Sequence, residues 1–98
     1  MAEVARVPHP EPDIDYQLDY QFGQWGSVPE YVQSWSDMDG IDREVFHLEW
    51  VGITESRLRE LRQWAERDLL TPAQRKRYHQ LLALVAKHRP TLELLLRD

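Results

Sequence analysis

The segment from residue 71 to residue 74 constrains the fold of this chain most, because it encodes the start of a helix. The hydroxyl of Thr71 can accept from the backbone N–H of Gln74, whose side chain can reach back to the N–H of Thr71. Pro72 suits the first helical position, where its missing N–H would have no partner in any case. The apolar positions that follow at helical spacing are Tyr78, Leu81, Leu82, Val85, Leu92, Leu95 and Leu96. A helix is therefore predicted from Pro72 to residue 97.

Pro90 interrupts this apolar pattern. A proline inside a helix has no N–H to bond to the carbonyl of residue 86, and its ring clashes with that carbonyl. We therefore expect the helix to kink or restart at Pro90.

Residues 55 to 69 predict another long helix, with Thr54 as its N-cap. Its predicted inner face consists of Leu58, Leu61, Ala65 and Leu69, with Trp64 on the shoulder. Because a tight turn at Leu70 and Thr71 separates it from the next helix, the two are expected to form a C-terminal helical hairpin.

Two shorter helices are predicted before the hairpin. Residues 28 to 37 follow a second apparent capping box, formed by Ser27 and Glu30, and their apolar stripe has helical spacing. Residues 42 to 49 are ambiguous, because Ile41, Val45 and Leu48 suit a helix whereas residues 45 to 51 could also form a strand. We favour the helix.

The sequence pattern of the N-terminal region differs from that of the predicted helices. Pro8, Pro10 and Pro12 exclude a helix over the first dozen residues. Strict alternation of apolar and polar residues then predicts a strand over residues 14 to 22. The sequence thus predicts a mainly α protein: an extended, partly disordered N-terminal arm over residues 1–26, and a small helical domain over residues 27–98 with the C-terminal hairpin kinked at Pro90.

Charge is divided unevenly between the two halves. Residues 1 to 50 carry eleven Asp and Glu against two Arg, whereas residues 51 to 98 carry ten Lys and Arg against six Asp and Glu. Such a division is typical of an interaction protein whose ends meet different surfaces, or each other. The chain is expected to bind another protein with a basic surface, in the manner of an antitoxin-like inhibitor or an accessory or adaptor subunit.

The predicted partner-binding residues lie in the arm, where acidic side chains alternate with aromatic ones. Carboxylates can steer a basic partner, and aromatic side chains can bind it once it has docked. These residues are Tyr16, Leu18, Tyr20, Phe22, Trp25, Asp15 and Asp19. The alternative is that this segment simply packs over the helical hairpin.

Nucleic-acid binding is the second functional hypothesis. A basic helical hairpin could follow a phosphate backbone, with contacts from Arg75, Lys76, Arg77, Lys87 and Arg89. The net charge of −5 weighs against it. A third interpretation is that these cations pair with the acidic half, either within one chain or between the copies of a homo-oligomer.

Catalysis and cofactors find little support in the sequence. Glu44, His47 and Glu49 are the only close histidine and carboxylate set, and a di-metal bundle needs such motifs on two helices. No nucleophile or phosphate-loop motif is present, so we expect neither an enzyme nor a cofactor. The absence of Cys, of an apolar leader and of a membrane-length apolar stretch favours a cytoplasmic protein without a membrane partner.

Overall fold

The computed structural model describes residues 13–97, and its elements are all helical, which confirms the mainly α prediction. No strand occurs within this range. In chain order the elements are α1 (Ile14–Gly26), α2 (Val28–Ser34), a 3₁₀ turn (Trp35–Asp37), α3 (Gly40–Glu49), a short π-helix (Trp50–Glu55), α4 (Ser56–Glu66) and α5 (Pro72–Arg97). We call the π-helix, which is little more than one turn long, the π-turn.

The strand predicted over residues 14 to 22 is wrong, because this segment lies in α1. Asp13 caps the helix by accepting from the N–H of Tyr16 at 3.0 Å. The buried positions recur every three or four residues, at Ile14, Leu18, Gln21 and Trp25. The extended arm is therefore wrong for residues 14–26, while its proline-spaced part lies outside the described residues.

One core unites these helices, and α1 lies at its centre. The backbone of α5 packs mainly against α1, and α1 also contacts α4. The buried apolar side chains are Ile14, Leu18, Trp25, Val28, Trp50, Leu58, Leu61, Leu70, Tyr78, Leu81, Val85 and Leu92. Residues 14–26 thus belong to the same core as the later helices.

The capping box predicted at Ser27 and Glu30 does not form. The Ser27 hydroxyl instead donates to the carbonyl of Gly23 at 2.8 Å, and the Ser27 N–H bonds to the carbonyl of Gln24. Since Ser27 alone separates α1 from α2, its backbone still belongs to the last turn of α1.

The chain is continuously helical from Gly40 to Glu66. Asp39 caps α3 by accepting from the N–H of Asp42 at 2.8 Å, and the π-turn then joins α3 to α4 without a break. Thr54 lies buried inside the π-turn, so its predicted role as an N-cap is wrong.

The connection from α4 to α5 combines two local motifs. Asp68 adopts a left-handed conformation with φ of 62°, and the N–H groups of Asp68 and Leu69 return to the carbonyls of Ala65 and Trp64, a Schellman motif. The predicted capping box follows: Thr71 N–H donates to Gln74 Oε1 at 2.9 Å, and Gln74 N–H donates to Thr71 Oγ1 at 3.1 Å.

The helix does not restart at Pro90, because α5 is one helix from Pro72 to Arg97, and the kink at Pro90 stays a prediction. Burial of Leu92, which is 1% exposed, holds the segment beyond Pro90 on the core. The last two helices, α4 and α5, do not pack as a simple hairpin. Most of the backbone contact of α5 is with α1, and α1 also contributes Leu18 and Trp25 to the shared core.

The two capping sequences make a matched pair of substitutions. Thr71→Ala removes a formed cap and should lower the free energy of unfolding by about 1 kcal/mol. Ser27→Ala removes no cap and should change it by less than about 0.5 kcal/mol. Urea unfolding measures both values, and equal losses would contradict this assignment.

Gln21 offers a second test, because it is fully buried and forms two hydrogen bonds. Its Nε2 donates to the carbonyl of Thr54 at 2.9 Å, and its Oε1 accepts from the indole N–H of Trp25 at 2.9 Å. Gln21→Leu should therefore lower the free energy of unfolding by about 2 to 4 kcal/mol.

Gln17 supplies the control for this substitution, since its Oε1 is buried without a hydrogen-bond partner among the described residues. Gln17→Leu removes an unsatisfied acceptor and should be neutral or stabilising in the same urea titration. If Gln17→Leu lowered the free energy of unfolding as much as Gln21→Leu does, the loss at Gln21 could not be attributed to its two hydrogen bonds.

Candidate interaction surface

The residues predicted to bind a partner divide into buried and exposed groups. Leu18 and Trp25 have no exposed surface and belong to the core, so a partner has no access to either in this structure, and their assignment to a binding site stays a prediction. Tyr16 is 54% exposed, while Tyr20 and Phe22 are half-buried.

The acidic residues of α1 bind α5. Asp19 forms an ion pair with Arg77 at 2.7 Å, and Asp15 accepts from the side chain of Gln74 at 3.2 Å. The Arg77 guanidinium also lies 5.3 Å from the ring centre of Phe22. Acidic and aromatic groups of the first half thus meet basic groups of the second half within one chain, one of the alternatives that the charge distribution left open.

Three of the five cations assigned to nucleic acid are held in ion pairs. Besides Arg77, Arg75 binds Asp68 at 2.6 Å, and Arg89 binds both carboxylate oxygens of Glu55 at 2.7 and 3.2 Å. Lys76 and Lys87 are exposed. Nucleic-acid binding stays a prediction, with a smaller set of available cations.

The inner face of α3 is covered by aromatic rings. Phe46 lies 4.8 Å from Tyr31 and 5.6 Å from Trp35, measured between ring centres, and both pairs meet edge to face. Phe46 also stacks on Trp50 at 5.7 Å. Such pairs add about 0.5 to 1.5 kcal/mol each beyond the burial of their area, so α3 is held firmly on this side.

The outer face of α3 has no such cover from the rest of residues 13–97. Its apolar side chains continue into the π-turn, and we call them the outer stripe. They are Ile41, Val45, Leu48 and Val51, exposed by 75%, 47%, 66% and 51% respectively. None of the residues of α3 itself is fully buried. The sequence shows this spacing, but it does not show which side of the helix the core covers.

Acidic residues flank the outer stripe on both sides. At about 100° per residue, Asp42 and Glu49 fall on one side of the stripe and Glu44 on the other, and all three are exposed. The one arginine of α3, Arg43, is turned inward, with its guanidinium donating to the carbonyl of Trp35 at 2.6 and 3.0 Å.

A groove of about 280 Å³ lies beside the stripe, between α3 and the end of α5. Leu95 and Leu96 of α5 line it together with Trp35, Gly40, Arg43, Glu44 and His47. Glu44 therefore faces both the stripe and the groove.

A second cleft, of about 360 Å³, lies between α1 and the π-turn, and its polar groups bind one another. Gln24 Nε2 donates to the hydroxyl of Tyr20 at 3.1 Å, and Gln24 Oε1 accepts from the hydroxyl of Tyr31 at 2.9 Å. Thr54 Oγ1 completes the set, 3.3 Å from the Tyr20 hydroxyl. These bonds tie the π-turn to α1, whereas the indole N–H of Trp50, which also lines the cleft, has no hydrogen-bond partner among the described residues.

Neither a metal site nor a membrane-spanning helix is found among the described residues. Residues 13–97 contain no group of three or more His, Asp or Glu side chains placed to hold a metal ion, and Glu44, His47 and Glu49 do not form one. None of the helices in this range is both long and apolar enough to span a membrane.

Comparison with protein-family models, curated proteins and solved structures found no match to this chain.

Tyr31 packs against the inner face of α3, and its hydroxyl is expected to make the folded chain less stable in alkali. Burial raises the pKa of Tyr31 above its ordinary value of 10.0, so the folded chain holds this proton more tightly than the unfolded chain. Its stabilising contribution is present below pH 10 and is lost as the pH rises through the raised pKa.

Tyr31→Phe should reduce the decline in the free energy of unfolding between pH 9 and pH 11, measured by urea titration at each pH. The pKa of Tyr78 is also raised by burial, so Tyr78→Phe is the comparison variant and should act in the same direction. An unchanged pH dependence in Tyr31→Phe would contradict the argument.

Proposed function

We propose that this chain is a protein-interaction module that binds a partner protein along the outer stripe of α3. It would act as an inhibitor or as an accessory or adaptor subunit. The observation that carries the proposal is the exposure of Ile41, Val45, Leu48 and Val51 in one row.

The arrangement of these residues matters more than their number. Single exposed apolar side chains are ordinary on a protein surface. A row at intervals of four, three and three residues, on a helix with acidic neighbours, is instead the pattern of a helix face that packs against another element. In α3 the core occupies the opposite face, so the row supports docking of a second molecule.

The rigidity of α3 also favours this function. Phe46 and Trp50 hold its inner face, and the π-turn continues it directly into α4. A partner would thus meet a helix that is already formed. Binding then requires less loss of conformational entropy than docking onto a disordered segment.

The earlier functional hypotheses change in consequence. The acidic character of the first half still favours a partner with a basic surface, but the contact moves from the α1 residues to α3. Nucleic-acid binding through Lys76 and Lys87 is the alternative, and a cytoplasmic location is part of the proposal because the chain has no Cys.

Site-specific photo-crosslinking tests the proposal in the cells that make this protein. A photoreactive side chain at Val45 should give a discrete protein adduct that survives nuclease treatment. The same group at Gln63, an exposed position on α4, should not. Adducts to nucleic acid alone, or none that depend on position, would contradict the proposal.

Leu48→Glu should abolish the adduct formed at Val45 without unfolding the protein. A charged side chain at the centre of a docked apolar seam should weaken binding by at least about thirtyfold, or about 2 kcal/mol. Because Leu48 is exposed, the free energy of unfolding should change by less than about 0.5 kcal/mol.

Leu69→Glu is the matched control, since Leu69 is also exposed but lies in the connection between α4 and α5. It should leave the adduct intact. Equal loss of the adduct in both variants would show that α3 has no special role.

A further inference from the structure

We infer that the partner element bound by α3 is an amphipathic helix with an apolar seam flanked by lysine or arginine. This inference rests on the proposed function and adds the chemical class of the partner. It is drawn from the shape of the outer stripe, the charges beside it and the groove next to it.

The shape of the stripe fits a helix. From residue 41 to residue 51 a helix rises about 15 Å, which is nearly three turns. An apolar row of that length matches the seam of a second helix with apolar residues three or four positions apart.

The charges select the partner helix. Asp42 and Glu49 flank one side of the stripe and Glu44 the other, and no ion pair found among residues 13–97 includes any of them. Arg43 forms no ion pair with them, because its guanidinium lies over the Trp35 ring at 5.4 Å and bonds to the Trp35 carbonyl. Lysine or arginine beside the partner's seam would therefore meet carboxylates on both sides.

A second copy of this chain fits less well. In an antiparallel two-fold pairing of α3 with itself, each flank faces the same flank of the other copy, which brings Asp42 near Glu49 of the second copy. In a parallel pairing the Glu44 flank faces the flank that carries Asp42 and Glu49. Both arrangements set carboxylate against carboxylate, which is unfavourable in an interface.

A lipid surface fits no better. Helices that lie in the membrane interface carry Lys and Arg on their polar face, because the headgroups of the membrane are commonly anionic. The exposed charged residues that flank the stripe, Asp42, Glu44 and Glu49, have the opposite sign.

The groove beside α3 supplies a place for one long basic side chain. Leu95 and Leu96 offer apolar surface to the methylene stem of a lysine or arginine, and Glu44 in the same lining can receive its charge. Arg43 also lines the groove, but its guanidinium is bound to the Trp35 carbonyl. The groove thus adds a specific contact on the Glu44 flank.

Two peptides of about 18 residues, long enough to form helix in water, test the inference. Both carry the same Leu and Ile seam at helical spacing, one flanked by Lys and Arg and the other by Glu. Fluorescence anisotropy with the full chain should show the basic peptide binding at least about tenfold more tightly, and its affinity should fall as salt is raised.

Charge reversal on α3 is the decisive variant. The double substitution Glu44→Lys with Glu49→Lys should weaken the basic peptide by at least about tenfold and strengthen the acidic one. The control is Glu60→Lys with Glu66→Lys, which changes the net charge equally on exposed positions of α4 and should leave the order of the two peptides unchanged.

Three results would overturn the inference. First, the two peptides could bind equally tightly, or neither could bind, although the adduct at Val45 still forms and still depends on Leu48. The proposed function would then stand, but with another class of partner. Sedimentation velocity could instead show a dimer that Val45→Glu dissociates, which would make a second copy the occupant. Loss of the position-specific adduct itself would remove the proposed function as well.

Discussion

Burial of Trp25 holds this fold together, because α1, the π-turn and α5 all meet at its ring. The indole N–H donates to Gln21 at 2.9 Å, the ring meets that of Trp50 edge to face at a centre distance of 4.9 Å, and the Arg89 guanidinium lies 5.0 Å from the ring centre. Arg89 in turn binds Glu55, the last residue of the π-turn. One side chain therefore positions the continuous helix that carries α3 relative to α1 and α5.

The π-turn depends on the same contacts. A π-turn departs from regular helical bonding, and such turns are often retained at functional positions. Here the Thr54 carbonyl is satisfied from the side by Gln21, and the Thr54 hydroxyl lies within hydrogen-bond distance of Tyr20. With Trp50 buried on the inner side, the row that ends at Val51 is left facing outward. The exposure of the outer stripe is thus a consequence of how the core is built.

Local motifs could be predicted from the sequence where their partners are also local. The Thr71 and Gln74 box, with α5 beginning at Pro72, needs only four residues and was predicted correctly. The strand over residues 14 to 22 was wrong because its apolar residues alternate but also fit a helical face, and the core includes Gln21, which a hydrophobic pattern cannot reveal. The outer stripe was visible as a spacing, whereas its exposure depends on which side Trp50 and the other aromatic rings cover.

The division of charge along the chain acquires a spatial meaning in the fold. Carboxylates of α1 and the π-turn are paired with arginines of α5, as Asp19 is with Arg77 and Glu55 with Arg89. The acidic residues of α3 are found in no such pair among residues 13–97, and they border the uncovered apolar row. Attraction between charges acts over roughly 10 Å at physiological salt, whereas apolar contact acts only after water has been displaced. Because one helix carries both features, the charges can orient an approaching basic helix before its apolar seam reaches the stripe.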